Sequence, residues 1–173
     1  MMKKMRLTLL ILATGLLLGC ANYMKDGLEL LQAGNYEEAI VAFKNEIAEE
    51  KNLDEAYRGV GIAYFELKDY SSAADAFENA LANEARETAS IYQMLGASYL
   101  QLDEYEKALE NYKKALEMED CTEEMRQEIL FNEIAILQLE SEWELLKEKV
   151  DAYVTAYPDD DRMDKTVEFL ETR

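Results

Sequence analysis

Two thiols, Cys20 and Cys121, are the natural places to look for covalent chemistry, and the chain has no histidine to act as general base or metal ligand. Cys121 sits in the run Met118-Glu119-Asp120-Cys121-Thr122-Glu123, where no basic neighbour stands by and the flanking carboxylates keep a thiol protonated and unreactive. Cys20 closes the run Leu17-Leu18-Gly19-Cys20, whose small and aliphatic residues lie easily in a peptidase cleft and present the thiol for acylation. If Cys20 is acylated, Cys121 has no partner and no disulfide framework forms. Asp159-Asp160-Asp161 with Asp164 gathers carboxylates, yet it lacks the loop glycine and closing glutamate of a calcium loop. Aspartates at a helix start already serve the helix dipole. No phosphate-cradling glycine loop or dinucleotide fingerprint is present, and the many paired carboxylates read as solvated helix faces. No catalytic residue, metal or cofactor is expected, and the chemistry narrows to modification of Cys20.

The residues ahead of Cys20 support that modification. Lys3, Lys4 and Arg6 supply three positive charges, and Leu7–Leu18 is an apolar run of 12 residues. As a helix such a run spans about 18 Å, short of the ~30 Å needed to cross a bilayer, so it reads as the core of a secretory signal. The stretch Leu17–Cys20, placed at its end, resembles the bacterial lipobox. The resemblance implies cleavage before Cys20, leaving residues 1–19 as a removed signal peptide, and diacylglyceryl transfer to the Cys20 thiol. Two acyl chains anchor lastingly where one does not. Ala21 is not the Asp that favours inner-membrane retention, so the expected address is the extracytoplasmic face of a cell membrane, or the outer membrane of a two-membrane cell. The other reading is an ordinary secretory signal with an incidental cysteine.

The elements behind Cys20 are read from composition and spacing. The whole chain of 173 residues carries −19; without its basic first 19 residues it stands at −22. Such a surface repels phosphate backbones and anionic headgroups, which disfavours nucleic acid as a partner and serves solubility. Seven glycines and one proline are too few for an all-β chain, whereas Ala, Leu, Glu and Lys abound. Gly27, Gly61 and Gly96 recur at spacings of 34 and 35, as do Ala39, Ala73 and Ala108. Tyr23, Tyr57 and Tyr92 precede each glycine by four residues, and Phe43, Phe77 and Tyr112 follow each alanine by four. Asn35-Tyr36, Asp69-Tyr70 and Glu104-Tyr105 mark a shared turn. Apolar residues within each unit fall at helical spacing. Small residues at Gly61 and Ala73 allow close helix approach, with Tyr57, Tyr64 and Phe77 expected to fill the gap toward the next pair. A single hairpin cannot bury its apolar face, so stacking must supply the core.

These columns resemble the tetratricopeptide repeat (W-x2-L-G-x2-Y, then A-x3-F, then A and P). Leu95-Gly96 with Tyr99, and Ala80 and Ala115, keep further positions of it. Asp26 replaces the first leucine, Glu46 replaces the later alanine, and the closing proline is missing from three units. A fourth unit keeps Trp143 and Pro158 but puts Ile134 and Leu146 where Gly and Ala belong, which should splay its helices. The expected fold is all-α: a TPR-type α-solenoid over 20–158, in units of about 20–53, 54–88, 89–122 and 125–158. Three helix pairs are clear and the fourth is degenerate. Residues 159–173 form a C-terminal capping helix, with Met163, Val167 and Leu170 on its inner face.

The resemblance implies a concave groove lined by the first helix of each unit. Matched position by position, that face carries Met24, Leu28 and Leu31; Arg58, Ile62, Phe65 and Glu66; Gln93, Ala97, Leu100 and Gln101; and Phe131, Ala135 and Gln138. A mostly apolar groove with amide groups suits an amphipathic helix or an extended peptide. The same residues could instead shield one another. The chaperone-tail clamp of some family members needs Lys and Asn where this chain has Met24, Leu28, Gly59, Ser90 and Met94, so that partner class is excluded. The expectation is a membrane-anchored, non-enzymatic scaffold for a protein or peptide partner in the envelope. The alternatives are a small-molecule-binding lipoprotein, for which the chain is short of a two-lobed cleft, and an envelope-assembly accessory factor.

Overall fold

The computed structural model describes residues 22–83 and 87–172; Cys20 and the segment 1–19 lie outside them. Among the described residues there is no strand, and the helices follow in order: α1 Tyr23–Gln32, α2 Tyr36–Ala48, α3 Leu53–Glu66, α4 Tyr70–Ala82, α5 Ala89–Gln101, α6 Tyr105–Glu117, α7 Glu123–Glu140, α8 Trp143–Ala156, and α9 Asp164–Glu171 behind a short 3-10 turn, Asp161–Met163. Several starts are sequence-coded. Asn22, Asp69, Thr88 and Thr122 each accept a hydrogen bond from the backbone amide three residues on, satisfying a donor the helix leaves free.

The hairpin turns are one motif used four times. Asn35, Asp69, Glu104 and Glu142 donate their amides to the carbonyls of Leu30, Tyr64, Tyr99 and Leu137, at 2.9, 2.9, 2.9 and 3.1 Å. The residue before each donor is left-handed: Gly34 (φ 76°), Lys68 (63°), Asp103 (60°) and Ser141 (60°). This is the glycine-favouring helix stop, and the fourth pair makes it as faithfully as the other three. Only the first turn uses glycine. A left-handed side chain costs ~1–2 kcal/mol, offset by the ~0.4–1 kcal/mol of unfolded-state freedom that glycine adds. Lys68→Gly and Ser141→Gly should therefore each raise stability by about 0.5–1 kcal/mol, read as a higher urea midpoint at unchanged slope. A lowered midpoint for both would refute the turn assignment.

The hairpins stack in sequence order, α2 against α3, α4 against α5, and α7 against both α5 and α6. Phe43, fully buried on α2, points its ring between α1 and α3. Methyl groups added at Gly27 and Gly59 would come within 2.6 and 2.5 Å of that ring, so both glycines are bare because the phenyl lies against their backbones. Phe77 seats on Gly61 of its own pair and Tyr112 on Gly96. The Tyr112 hydroxyl is buried, and burial pushes its phenol well above the ordinary value against the opposing Asn132 side chain. Tyr57 and Tyr64 line rather than fill their gap: with Lys44, Val60 and Ala76 they border an open cleft of about 340 Å³ between α2, α3 and α4.

Two departures from the repeat pattern have local explanations. Buried Glu46 accepts a hydrogen bond at Oε1 from the Asn52 side-chain Nδ2 (2.7 Å), holding the loop in which Asn52 turns left-handed (φ 41°) before α3. In the fourth pair, bulky Ile134 and Leu146 join Leu137, Val150, Tyr153 and Met163 in a separate buried cluster, and α7 and α8 meet over a shorter length than the earlier pairs. The C-terminal segment differs from a single helix over 159–173. Asp160 stays extended and caps the 3-10 turn, while Met163 is buried and Val167 and Leu170 pack on the same cluster.

Candidate partner-binding groove

The first helices of the pairs, α1, α3 and α5, place their free faces side by side. Met24, Leu28 and Leu31 from α1 and Arg58 and Ile62 from α3 line one cavity of about 200 Å³. Glu55, Gly59 and Ser90 complete it. Leu28 is 46% exposed, and Met24, Leu31 and Ile62 are half-buried. Gly59 borders the cavity with its backbone, its missing side chain making room for the Phe43 ring on the other side. Two glycines within three residues of a helix each sacrifice ~1 kcal/mol of helix propensity, and Gly59 stands outside the repeating Gly columns. The Phe43 ring accounts for that cost at Gly59, and no sequence signal marked Gly59, Glu55 or Ser90 as cavity lining.

The remaining candidate residues disperse. Phe65 is half-buried, edge-on to Tyr70 at a 5.3 Å centroid distance, and packs with Ile62 and Leu100 on the central core. The Glu66 carboxylate accepts from the Tyr36 hydroxyl at 3.3 Å, which raises that phenol's pKa. Gln93, Ala97 and Leu100 are half-buried along α5, and Gln101 is exposed at its end. On α7, Ala135 is half-buried and Gln138 exposed. Phe131 is engaged away from the groove, its ring lying under the Arg162 guanidinium (4.2 Å) and beside Tyr153 (6.4 Å).

No group of three or more His, Cys, Asp or Glu among the described residues is placed to hold a metal ion. The Cys121 thiol is pushed up, first by burial and then by Asp120 and Glu123 against the opposing Arg126, which disfavours the reactive thiolate. A larger hollow of about 420 Å³ at the end of α8 is bordered by Asp159, Asp160 and Asp161. Asp160 is already saturated there by Gln127, Tyr153 and Arg162. No described helix is long and apolar enough to cross a membrane.

Helix pairs stacked in chain order, each burying its apolar face against the next, define an α-solenoid. The particular kind is set by the repeats: the tetratricopeptide-repeat family matches residues 25–90 and 89–119, and over that span the chain belongs to the tetratricopeptide-repeat proteins. No curated protein matches it. Among solved structures, it resembles YrrB, described as a TPR protein with an unusual peptide-binding site. The TM-score is 0.67 at 24% identity, over 79% of this chain and 68% of that one. MamA AMB-1 gives a TM-score of 0.69 at 17% identity, over 86% and 78% of the two chains. The C-terminal part of a TPR repeat-containing protein from Cytophaga hutchinsonii gives 0.65 at 17% identity, over 75% of this chain and 50% of that one. At these identities the likeness is one of fold.

Proposed function

We propose that this chain is a non-catalytic scaffold, lipid-anchored through Cys20 on the extracytoplasmic face of a membrane, that holds a partner peptide or helix in its concave groove. The observation that carries the binding half is the cavity where α1 and α3 converge, walled on its apolar side by Met24, Leu28, Leu31 and Ile62. Tetratricopeptide repeats are an architecture for protein and peptide partners, and a peptide-binding site is named for YrrB. The anchoring half rests on the run Leu17-Leu18-Gly19-Cys20 behind its basic and apolar leader.

Each half has its own test. Cys20→Ser, expressed in a native-type bacterial host with radiolabelled palmitate, should lose the label and leave the membrane fraction. Equal labelling and retention would refute the anchor. For the groove, a photo-crosslinking residue at Leu28 should trap a discrete partner, and Leu28→Glu should abolish a cross-link formed from a probe at Met24. Because Leu28 is 46% exposed, that charge should leave circular dichroism unchanged, within the ~0.5 kcal/mol typical of surface substitutions. A cross-link that survives Leu28→Glu would remove the cavity from the binding site.

A further inference from the structure

Arg58 is an exception among the half-buried cations of the described residues. Three other half-buried cations have an anion: Lys114 with Glu110 at 2.8 Å, Arg126 with Glu123 at 3.9 Å, and Lys149 with Glu133 at 3.2 Å. Arg58, half-buried at the groove cavity, has no hydrogen bond, ion pair or ring contact among the described residues. Glu55, one turn earlier on α3, lines the same cavity without closing on the guanidinium. This happens in a chain with 37 acidic and 18 basic residues, where an anion is seldom far away. A guanidinium carries five donors in a rigid fork shaped for a carboxylate, and this one stands at the cavity with its fork unmatched among the described residues. Beside it, Met24, Leu28, Leu31 and Ile62 wall a space of about 200 Å³. An apolar cavity of ~150 Å³ holds a benzene-sized group.

Resting on the groove reading above, we propose that the partner is a peptide segment with two linked features. A large apolar side chain enters the cavity over Gly59, and a side-chain carboxylate within one helical turn of it engages Arg58. The chain's charge of −19 sets a further condition. An acidic peptide would be repelled at long range, so the segment carries that carboxylate among neutral or basic residues. Arg58 thereby selects a register: the apolar side chain binds where its neighbouring carboxylate finds the fork.

The test is selection of short random peptides displayed on phage against the purified full-length chain, with Leu28→Glu as the counter-selected control. Peptides lost to the control should be enriched in Leu, Met or Phe with Asp or Glu within one turn. Repeating the selection on Arg58→Gln should erase the acidic enrichment, and Arg58→Glu should replace it with Lys or Arg. Synthetic copies of the selected peptides should bind Arg58→Gln about tenfold more weakly. Groove-dependent peptides without acidic enrichment, or with the same enrichment on Arg58→Gln, overturn this inference and leave the groove reading standing. If no peptide is sensitive to Leu28→Glu, the groove reading fails and this inference fails with it.

Discussion

Phe43→Ala should cost about 3–5 kcal/mol, the range for emptying a fully buried aromatic position, and should lower the melting temperature by on the order of 10 °C. The ring is fully buried and lies against backbone on both sides, at Gly27 of α1 and Gly59 of α3. Backbone cannot collapse into the space as a side chain could, which places the expected loss in the upper part of that range. The damage should stay local, because each repeat meets only its neighbours. Amide exchange in α1 and α2 should quicken first, while α5 and α6 remain protected. Since Met24, Leu28 and Leu31 reach the groove from α1, the variant should also lose partner binding. A double-mutant cycle separates this packing from general fragility. In the wild type Gly59→Ala drives a methyl to 2.5 Å from the ring and should destabilise by ~1–3 kcal/mol. On the Phe43→Ala background the clash is gone and the ~1 kcal/mol helix advantage of alanine remains. Strictly additive effects of the two substitutions would show that Phe43 does not lie against Gly59.

The columns Gly27, Gly61, Gly96 and Phe43, Phe77, Tyr112 were readable in the sequence as recurring in register, but not their contact: Phe77 was expected to face the next pair and instead lies on Gly61 of its own. Repetition tied the two columns before any coordinate was known, and the all-helical stack follows from them. What the sequence hid has no period. Gly59 occurs in one repeat alone, so nothing marked it as the floor of a cavity. The left-handed turn residues are Gly34, Lys68, Asp103 and Ser141, four different types that form no column, so their shared conformation could not be read from repetition. Position matching carried Phe131 to the groove because the match considers one helix at a time. The ring is claimed instead by Arg162, which lies beyond α8 in a segment that belongs to no repeat. For the candidate site, the α1 and α3 residues were legible as neighbours, whereas the isolation of Arg58 emerges only when the anions among the described residues are located.

Asp160→Asn should release the C-terminal cap from the solenoid while leaving the first three helix pairs intact. The Asp160 carboxylate gathers the end of the chain: Oδ2 accepts from Gln127 Nε2 and the Tyr153 hydroxyl at 2.6 Å each and from an Arg162 terminal nitrogen at 2.8 Å. Its Oδ1 accepts from the Arg162 amide at 3.1 Å and from Nε at 3.0 Å. Arg162 then reaches Glu128 on α7 at 2.8 Å and covers Phe131. Asparagine keeps the size but substitutes an amide for one oxygen and removes the charge, so Arg162 loses its principal anion. Protection of the α9 amides should fall on the order of tenfold, with α1–α6 unchanged. The Arg162 fork first, and the Tyr153 hydroxyl second, hold the Asp160 carboxyl well below its ordinary value of 3.8. A carboxyl depressed in the folded state binds its proton less readily there than in the unfolded chain. Its contribution is therefore complete above that ordinary value and erodes as the pH falls below it. Wild-type α9 should thus lose protection progressively below about pH 4, approaching the variant, whose own protection should vary less over the same interval. Equal protection of α9 in the two proteins at neutral pH, or a loss spread evenly through α1–α6, would detach the cluster from the cap. The same loosening should uncover Phe131, so a cap that opens in Asp160→Asn adds an aromatic surface to the end of the solenoid.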